Sequence, residues 1–382
     1  MSENPTSRSG GNCCGGNSIN TEAGDSCKII DKSPNRKIAL WVTGTVHTPF
    51  GEIPQVATQL TLNDKVGSWK ARWSLGGRMN FKIIPGIYAV GTPNEESPVL
   101  VTANYKMSFD RLRKELGGIN AWILVLDTKG INVWCAAGKG TFGTNELVNR
   151  ITQVGLAEIV THRILILPQL GAPGVAAHEV AKQTGFKVIY GPVRAEDVPA
   201  FLDAGMKATP AMREVRFGFL DRFVLTPIEL VGTYKAMLIS LAVLFVIQWL
   251  SHSNMRFIKL IQETWSSFVP YFGAIIAGAI FVPVLLPFIP GRSLAWKGWL
   301  MGLVWAGLYL GVIHPGASWK QVLLYLLLLP PISSFLGMNF TGATTYTSLS
   351  GVVKEMKIAI PAQILFAGVG IIVLIGTWIL PK

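Results

Sequence analysis

The chain has 382 residues, of which 50% are hydrophobic and 15% are charged, and its formal net charge is +12. A composition this apolar excludes an ordinary soluble protein, because long uncharged runs occupy most of the sequence after residue 230. The positive charge comes partly from lysines and arginines that flank these runs, so it is poor evidence for nucleic-acid binding. Four cysteines without a disulfide framework indicate a reducing compartment.

Residues 1–37 are polar and rich in Gly, Ser and Asn, which predicts a disordered tail and no signal peptide. The tail contains Cys13, Cys14 and Cys27. These cysteines are too few and too irregularly spaced for a four-cysteine iron–sulfur site. A redox or metal-capturing role stays open, but we expect the tail cysteines to have no essential role.

Residues 38–230 predict an α/β domain that begins with a β-rich part. The segment 38–46 is rich in the β-branched and aromatic residues that are typical of strands. Several turn signals follow, at Pro54, Asn63, Asp64, Gly76 and Gly77. We therefore expect a β-rich cover in front of the main part of this domain.

From residue 98 onward, strands and helices alternate. Short apolar runs predict strands at 99–102, 121–126, 163–168 and 187–190, with helical patterns between them. This alternation predicts a Rossmann-like parallel sheet with helices on both faces.

Ligands of such sheets bind beyond the carboxyl ends of the strands, where this sequence places Thr102, Asn104 and Asp127. Turn formation and capping are the alternative roles of these three residues. His162 and His178 belong to no ligand-spaced pair, so we expect them to be surface or packing residues.

Cys135 is the one cysteine outside the tail, and the pattern places it in the first turn of a helix. Asn132 is a good N-cap, and Val133, Trp134 and Cys135 follow it as the first helical residues. The unpaired N–H groups and partial positive charge of a helix N-terminus favour a thiolate, and Lys139 adds positive charge four residues later. A buried structural cysteine is an alternative of equal weight.

Ala136, Ala137 and Gly138 predict a smooth helix face that a flat ligand can approach closely. Gly138, Gly140 and Gly143 also match the spacing of the dinucleotide fingerprint. That match starts about ten residues after the preceding strand instead of at its end, so it is weak. It leaves a membrane-anchored nucleotide-binding regulator as an alternative function.

Residues 231–382 predict a transmembrane domain of five helices. The apolar segments lie at roughly 236–250, 269–289, 294–313, 321–338 and 358–380, and each approaches or exceeds the ~20 residues that a bilayer requires. A slight positive-inside bias agrees with a cytoplasmic N-terminal half. No charged residue lies at the centre of a span, which weighs against an ion-coupled transporter and favours an anchor or docking platform. A small-solute permease with a cytosolic sensing domain is the remaining alternative.

The stretch 132–139 reads Asn-Val-Trp-Cys-Ala-Ala-Gly-Lys and continues as Gly-Thr-Phe-Gly-Thr at 140–144. It resembles the signature of the mercury-methylating corrinoid proteins, which are membrane proteins with a small ferredoxin as partner. Residues 98–197 also resemble the corrinoid domain of the corrinoid iron–sulfur protein large subunit. The five spans match the mercury-methylating family, whereas the four-cysteine cluster domain of the soluble relative is missing.

The resemblance implies a corrinoid-dependent methyltransferase in the cytoplasmic membrane, with its corrinoid-binding domain in the cytoplasm. The Cys135 thiolate would ligate the cobalt of a corrinoid, either cobalamin or a related cobamide. The histidine-based Asp-x-His-x-x-Gly corrinoid motif is absent, as thiolate ligation requires. The methyl group would pass from cysteine-ligated methylcobalt(III) to inorganic mercury(II), giving methylmercury.

The resemblance also implies cofactor-binding residues and partners. The motif residues would line the lower face of the corrin, and the strand ends would lie near the ring and its nucleotide tail. The residues concerned are Thr102, Asn104, Asn132, Val133, Trp134, Cys135, Ala136, Ala137, Gly138 and Lys139. The implied partners are an iron–sulfur ferredoxin as electron donor, a folate-type methyl carrier and the membrane, with no nucleic acid.

Overall fold

The computed structural model describes residues 40–74, 80–251, 256–344 and 349–379. The tail predicted at 1–37 and the turn signals at Gly76 and Gly77 lie outside these residues. Within the described chain, a sheet with helices on both faces precedes a set of long apolar helices.

Seven strands form one mixed sheet. In chain order they are β1 (Val42–Thr48), β2 (Gly51–Val56), β3 (Gly86–Val90), β4 (Val99–Ala103), β5 (Ala121–Leu126), β6 (Ile164–Leu167) and β7 (Lys187–Tyr190). Their order across the sheet is β1-β2-β3-β5-β4-β6-β7. Strands β5, β4, β6 and β7 are parallel to one another, whereas β3 is antiparallel to β5 and β1 is antiparallel to β2.

The predicted parallel sheet is therefore correct for the strands from β4 to β7 and wrong for the sheet as a whole. The N-terminal strands do not form a separate cover, because β2 pairs with β3 and extends the same sheet. Only Pro49 and Phe50 separate β1 from β2. A connection this short permits antiparallel pairing alone, since a parallel pair needs a long crossover.

A helix that the sequence analysis missed, α1 (Leu62–Trp73), follows β2. Asn63 and Asp64, which predict a turn, form the first turn of this helix instead. The Thr61 hydroxyl accepts a hydrogen bond from the Asp64 N–H at 3.3 Å, and Asp64 Oδ2 accepts one from the Thr61 N–H at 3.0 Å. This reciprocal capping box starts a helix, so the β-rich interpretation is wrong for this segment. Pro54, another predicted turn residue, lies within β2.

The central strands β3, β4 and β5 are buried along their whole lengths, as expected for strands that are covered on both faces. Two helices cover one face, α2 (Lys106–Glu115) and α7 (Val198–Asp203). The other face is covered by α3 (Val133–Gly138), α4 (Thr144–Gln153), α5 (Leu156–Ile159) and α6 (Ala177–Thr184). The prediction of helices on both faces is confirmed.

Five helices in the described part of the chain are long and apolar enough to cross a membrane, which confirms the predicted number. Two short helices lead into them, α8 (Phe219–Phe223) and α9 (Thr226–Gly232). The long helices are α10 (Tyr234–Ser251), α11 (Phe257–Val284), α12 (Leu294–Ile313), α13 (Trp319–Asn339) and α14 (Leu349–Ile379).

Helices α11 and α14 begin before the apolar segments that predicted them. Lys354 and Lys357, expected in a loop, therefore lie in α14. Lys297 lies in the first turn of α12, where its Nζ donates to the carbonyl oxygens of Leu286 at 2.5 Å and Ile289 at 2.8 Å. A hydropathy pattern ends where charges begin, whereas a helix continues through charged turns near a membrane surface.

Candidate functional site

Cys135 lies in the first turn of α3, and Asn132 is the N-cap, as the sequence predicts. The Asn132 Oδ1 accepts a hydrogen bond from the Cys135 N–H at 2.9 Å. The thiol is free and partly exposed, so it is not the buried structural cysteine that the sequence left as an alternative. Because α3 has six residues, its dipole is small, and the capping bond is what fixes the backbone beneath the thiol.

The motif residues divide between two sides of α3. Val133, Ala136 and Ala137 recur at helical spacing and are buried in the core beneath the helix. Ala136 and Ala137 therefore do not form the smooth exposed face that the sequence predicts. Their small side chains allow α3 to pack closely on the domain. The side turned away from the core carries the remaining residues, Trp134, Cys135, Gly138 and Lys139.

Open space lies next to the thiol on this outer side. Gly138 follows Cys135 by three residues, and a Cβ placed on Gly138 would meet no atom within 4 Å. The Trp134 side chain is 38% exposed. The outer side of α3 therefore combines one soft donor atom, one exposed indole and room for a flat ligand.

The loop before α3 is held by Asn104, which is 2% exposed. Its Oδ1 accepts hydrogen bonds from the N–H groups of Thr128 at 3.1 Å and Gly130 at 2.9 Å. Its Nδ2 donates to Asp127 Oδ1 at 3.1 Å. The Thr128 hydroxyl donates to the Ile131 carbonyl oxygen at 2.6 Å. The Asn104 amide is thus occupied by the loop, which makes Asn104 a positioning residue for α3.

The same loop contains two consecutive residues in the left-handed region, Lys129 (φ 59°) and Gly130 (φ 75°). A left-handed lysine is strained, so the loop needs the Asn104 hydrogen bonds to keep its shape. Burial raises the pKa of the Asp127 carboxyl, but the hydrogen bonds and charge of Lys129 lower it further than burial raises it. The net pKa lies below the ordinary value, so Asp127 is an ionised anchor at neutral pH.

Glu146 is a site residue that the sequence analysis missed. Its Oε1 accepts a hydrogen bond from the Asp127 N–H at 2.8 Å, and Arg150 pairs with it at 2.7 Å. Glu146 therefore ties helix α4 to the end of β5. Its position in the first turn of a helix was visible, but the contact spans 19 positions of sequence and follows no local rule.

Thr102 lies one residue before the end of β4 and is 4% exposed. It pairs with Val125 and alternates with Val101 and Ala103, so it belongs to the sheet face covered by α2 and α7. Helix α3 covers the other face. The structure therefore brings Asn104 to the Cys135 loop but places Thr102 on the opposite face of the sheet, and its predicted role near the corrin stays a prediction.

Strand order reverses between β4 and β6, which is where ligands bind in doubly wound sheets. The 3-10 helix Gln169–Gly174 follows β6 and packs against α3. A Cβ on Gly174 would lie 3.0 Å from the Ala137 Cα and would overlap the Phe142 carbonyl oxygen. The 3-10 helix therefore packs tightly against the core-facing side of α3, and the outer side of α3 stays accessible.

Two residue sets from the sequence analysis have no place in this site. His162 accepts a hydrogen bond from the Ile164 N–H at 3.2 Å and packs near Ser97, and His178 is exposed. Both are packing or surface residues, as predicted. The glycines of the dinucleotide fingerprint do not join a strand directly to a helix, since α3 lies between β5 and α4. The nucleotide alternative therefore lacks the strand-turn-helix arrangement that it requires.

Replacing Asn104 with alanine should loosen the Cys135 loop. The change leaves the buried Gly130 N–H without its acceptor and the Thr128 N–H with the Leu126 carbonyl oxygen alone, so we expect the free energy of unfolding of the domain to fall by about 1–3 kcal/mol. Hydrogen exchange should become faster at the Thr128 and Gly130 amides. Asn120→Ala is a matched control, because exposed Asn120 accepts one loop hydrogen bond, from the Thr92 N–H at 2.9 Å. Equal exchange rates in wild type and Asn104→Ala would contradict this role.

Comparisons with known proteins place the similarity in the sheet domain. Residues 78–202 match the family model described as CO dehydrogenase/acetyl-CoA synthase delta subunit. The acetyl-CoA decarbonylase/synthase complex subunit gamma of Methanothermobacter thermautotrophicus is 33% identical over 121 residues, which are 31% of this chain and 26% of that protein. The corresponding subunit of Archaeoglobus fulgidus is 31% identical over 128 residues, 33% of this chain and 27% of that protein. The corrinoid/iron-sulfur protein large subunit of Moorella thermoacetica is 28% identical over 141 residues, 36% of this chain and 31% of that protein.

The alignments cover about a quarter to a third of the length of these relatives. The family match extends from the residues before β3 into α7 and includes Cys135, whereas the five long helices lie outside it. The expected resemblance to the corrinoid iron–sulfur protein large subunit is confirmed, and the resemblance to mercury-methylating proteins stays a prediction. Through its sheet domain, the chain is related to a corrinoid/iron-sulfur protein.

Proposed function

We propose that this chain is a membrane-anchored, corrinoid-dependent methyltransferase in which Cys135 would hold the cobalt of the corrinoid, and that it methylates inorganic mercury(II). The placement of Cys135 carries the proposal: a free, partly exposed thiol stands on a capped helix start with open space at Gly138. The surrounding domain is related to a corrinoid/iron-sulfur protein. The long apolar helices support the anchoring to a membrane.

The donor set around Cys135 suits a metal held in a ring better than a bare metal ion. A corrin ring supplies most of the ligands of its cobalt, so the protein would have to offer one donor atom and room for the ring. Cys135 and the open space at Gly138 meet both needs. A bare ion needs several protein ligands, and the described residues contain no group of three or more His, Cys, Asp or Glu side chains that could hold one.

The residues in and beside α3 would have different roles in corrinoid binding. Val133 and Ala136 anchor the helix in the core, and Asn132 holds the Cys135 backbone. Trp134 offers an exposed aromatic surface and Lys139 a positive charge on the outer side. Cys135 would hold the cobalt through its sulfur, because the thiolate is the form of cysteine that ligates metals.

When bound, a corrinoid would supply the cobalt chemistry for methyl transfer to mercury(II), and the soft Cys135 thiolate would hold that cobalt. We propose a small iron–sulfur ferredoxin as the electron donor and a folate-type carrier as the methyl donor. Both partners would meet a corrinoid-binding domain that lies on the cytoplasmic side of the membrane.

The direct test is an anaerobic visible spectrum of the full chain, purified in detergent and reconstituted with cobalamin, beside Cys135→Ala. We expect a thiolate-type cobalt(III) spectrum in the wild type and its loss in the variant, with corrinoid bound in both. Bound corrinoid with identical spectra would return Cys135 to a structural role. A lack of bound corrinoid in both proteins would contradict the cofactor itself.

Gly138→Ala should separate cofactor binding from stability. The added methyl group meets no protein atom within 4 Å, and alanine forms helix better than glycine by about 0.5–1 kcal/mol, so the thermal midpoint should hold or rise. A corrinoid that covers this side would meet the methyl group, and its Kd should increase by about tenfold, the equivalent of roughly 1.4 kcal/mol. Gly232→Ala is the matched control, because that helical glycine is equally open. Equal corrinoid affinity in both variants would place the cofactor elsewhere.

A further inference from the structure

Helix α1 has an exposed apolar stripe along one side, formed by Leu62, Val66, Trp69 and Trp73. These residues are 78%, 47%, 62% and 42% exposed. The intervals between them are four, three and four residues. All four side chains therefore lie within about 60° of arc on the helix surface. The Trp69 and Trp73 rings lie 5.9 Å apart between centroids. A continuous apolar stripe of this kind marks a surface that binds something.

The opposite side of α1 is fixed to the sheet domain. Asp64 and Ala71 are buried there. The Asp64 carboxylate pairs with Lys106 at 2.6 Å and with Arg113 at 2.9 Å, and both partners lie on α2. The helix therefore cannot rotate to bury its apolar stripe without breaking these buried ion pairs.

The charges of α1 are arranged around the stripe. Lys65 and Lys70 are exposed and lie on either side of it. Asp64 is the one acidic residue of the helix, and it faces inward. The outward surface thus presents apolar side chains flanked by cations, which is the pattern of helices that lie at the interface of a membrane with anionic lipids.

The position of α1 in the fold points to the same occupant. Helix α1 packs against α9, and the chain continues from α9 into α10, the first of the five long apolar helices. The neighbouring α8 packs on Val282–Val284 at the end of α11. Helix α8 also exposes Phe219, Leu220 and Phe223. The stripe therefore stands beside the point where the chain enters the membrane.

We propose that α1 is an interfacial helix that lies on the bilayer surface, with its stripe in the boundary between headgroups and acyl chains and with Lys65 and Lys70 at anionic headgroups. The proposal is independent of the corrinoid function. It gives the sheet domain a second attachment to lipid, in addition to the direct chain connection through α9. A second copy of the chain or a partner protein on the stripe is the competing outcome that the experiment must separate.

The test uses the full chain in lipid nanodiscs, with the four cysteines replaced by serine and a nitroxide attached to Val66→Cys. A matched label at Lys182→Cys, exposed on α6, serves as the control. Power saturation with oxygen and with a water-soluble nickel chelate reports the depth of each label. We expect the Val66 label to lie about 5–10 Å into the headgroup boundary and the Lys182 label to lie in water.

Two outcomes at Val66 would overturn the proposal. A label as accessible to the nickel chelate as the Lys182 label would mean that the stripe faces water. A label shielded from both reagents would mean that protein covers it. The stripe lies outside the core, so the double variant Trp69→Ser, Trp73→Ser should have the thermal midpoint of the wild type. In that variant the Val66 label should no longer lie within the headgroup boundary. An unchanged label depth would also overturn the proposal.

The headgroup contact has its own measurement. Nanodiscs of phosphatidylcholine alone and of equal parts phosphatidylcholine and phosphatidylglycerol differ in surface charge. We expect the Val66 label to lie deeper in the anionic discs and Lys65→Glu with Lys70→Glu to remove that difference. The same depth in both disc types for the wild type would contradict the assignment of the lysines to anionic headgroups.

Discussion

Replacing Cys135 with alanine is expected to lower mercury methylation by at least about 100-fold while the corrinoid stays bound. The reason is that the thiol is the one donor that the outer side of α3 offers to a metal. Stability should change by no more than about 0.5 kcal/mol, because Cys135 is partly exposed and stands outside the packed core. The measurement is methylmercury formed by anaerobic cells that contain equal amounts of each variant in their membranes.

Two other substitutions at Cys135 identify the kind of donor that the reaction needs. Serine keeps the size of the side chain but is a hard, weak ligand, so Cys135→Ser should be as inactive as the alanine variant. Histidine offers a nitrogen donor, and Cys135→His should bind corrinoid yet methylate far more slowly. Cys27→Ala, in the N-terminal tail, should keep full activity. Wild-type activity in Cys135→Ala would refute the mechanism, and wild-type activity in Cys135→His would show that any donor suffices.

Asp110→Ala is expected to give the largest loss of stability, because it breaks a buried charge network between α1 and α2. Lys106 Nζ lies 2.6 Å from both Asp64 Oδ1 and Asp110 Oδ2. Arg113 is 0% exposed, and its Nε lies 2.8 Å from Asp110 Oδ1. The Arg113 guanidinium also donates a hydrogen bond to the Ala57 carbonyl oxygen. Without Asp110, two cations share one carboxylate in a buried site, which costs about 3–5 kcal/mol.

Thermal unfolding of the full chain in detergent measures this loss, and a cost of that size should lower the midpoint by about 10 °C. Lys114→Ala provides the matched control on the same helix, since Lys114 pairs with Glu115 at 2.9 Å at the exposed surface. Its effect should stay within about 0.5 kcal/mol. Similar midpoints for Asp110→Ala and Lys114→Ala would mean that the buried network adds nothing to stability.

The pH dependence of stability tests the same network through Asp64. Burial raises the pKa of its carboxyl, but the hydrogen bond and charge of Lys106 and the Thr61 N–H lower it to far below the ordinary value. A carboxyl with a lowered folded pKa stabilises the fold above its unfolded pKa of about 3.9, and this contribution is lost as pH falls toward the folded pKa. The difference in midpoint between wild type and Asp64→Asn should therefore be constant from about pH 8 to about pH 5 and shrink below about pH 4.

Local patterns predicted much of the sheet domain. The run 121–126 coincides with β5 because a strand covered on both faces is apolar throughout. Asn132 was predicted as a cap because capping depends on residues three positions apart. Asn104 could be placed at a strand end, but its hydrogen bonds reach residues more than 20 positions away, and no local rule identifies such partners.

Helix α1 escaped prediction for a different reason. A helix of a soluble domain shows its apolar side to the core and its charged side to water. In α1 the relation is inverted, with Trp69 and Trp73 outward and Asp64 inward. The faces of α3 were misassigned for a related reason: Ala136 and Ala137 are small enough for either side, and only the position of the sheet decides between them.

The order of the elements along the chain has a consequence for biosynthesis. The last strand ends at Tyr190, and the first long apolar helix begins at Tyr234. At about 5–20 residues per second, a ribosome needs several seconds to move from β7 to the end of α10. During that interval all seven strands have already been synthesised, and α1 is part of a nascent chain whose tryptophan stripe faces water. Expression yield should therefore depend on how quickly the emerging chain reaches the membrane. Delayed targeting leaves an aggregation-prone apolar surface exposed to neighbouring nascent chains.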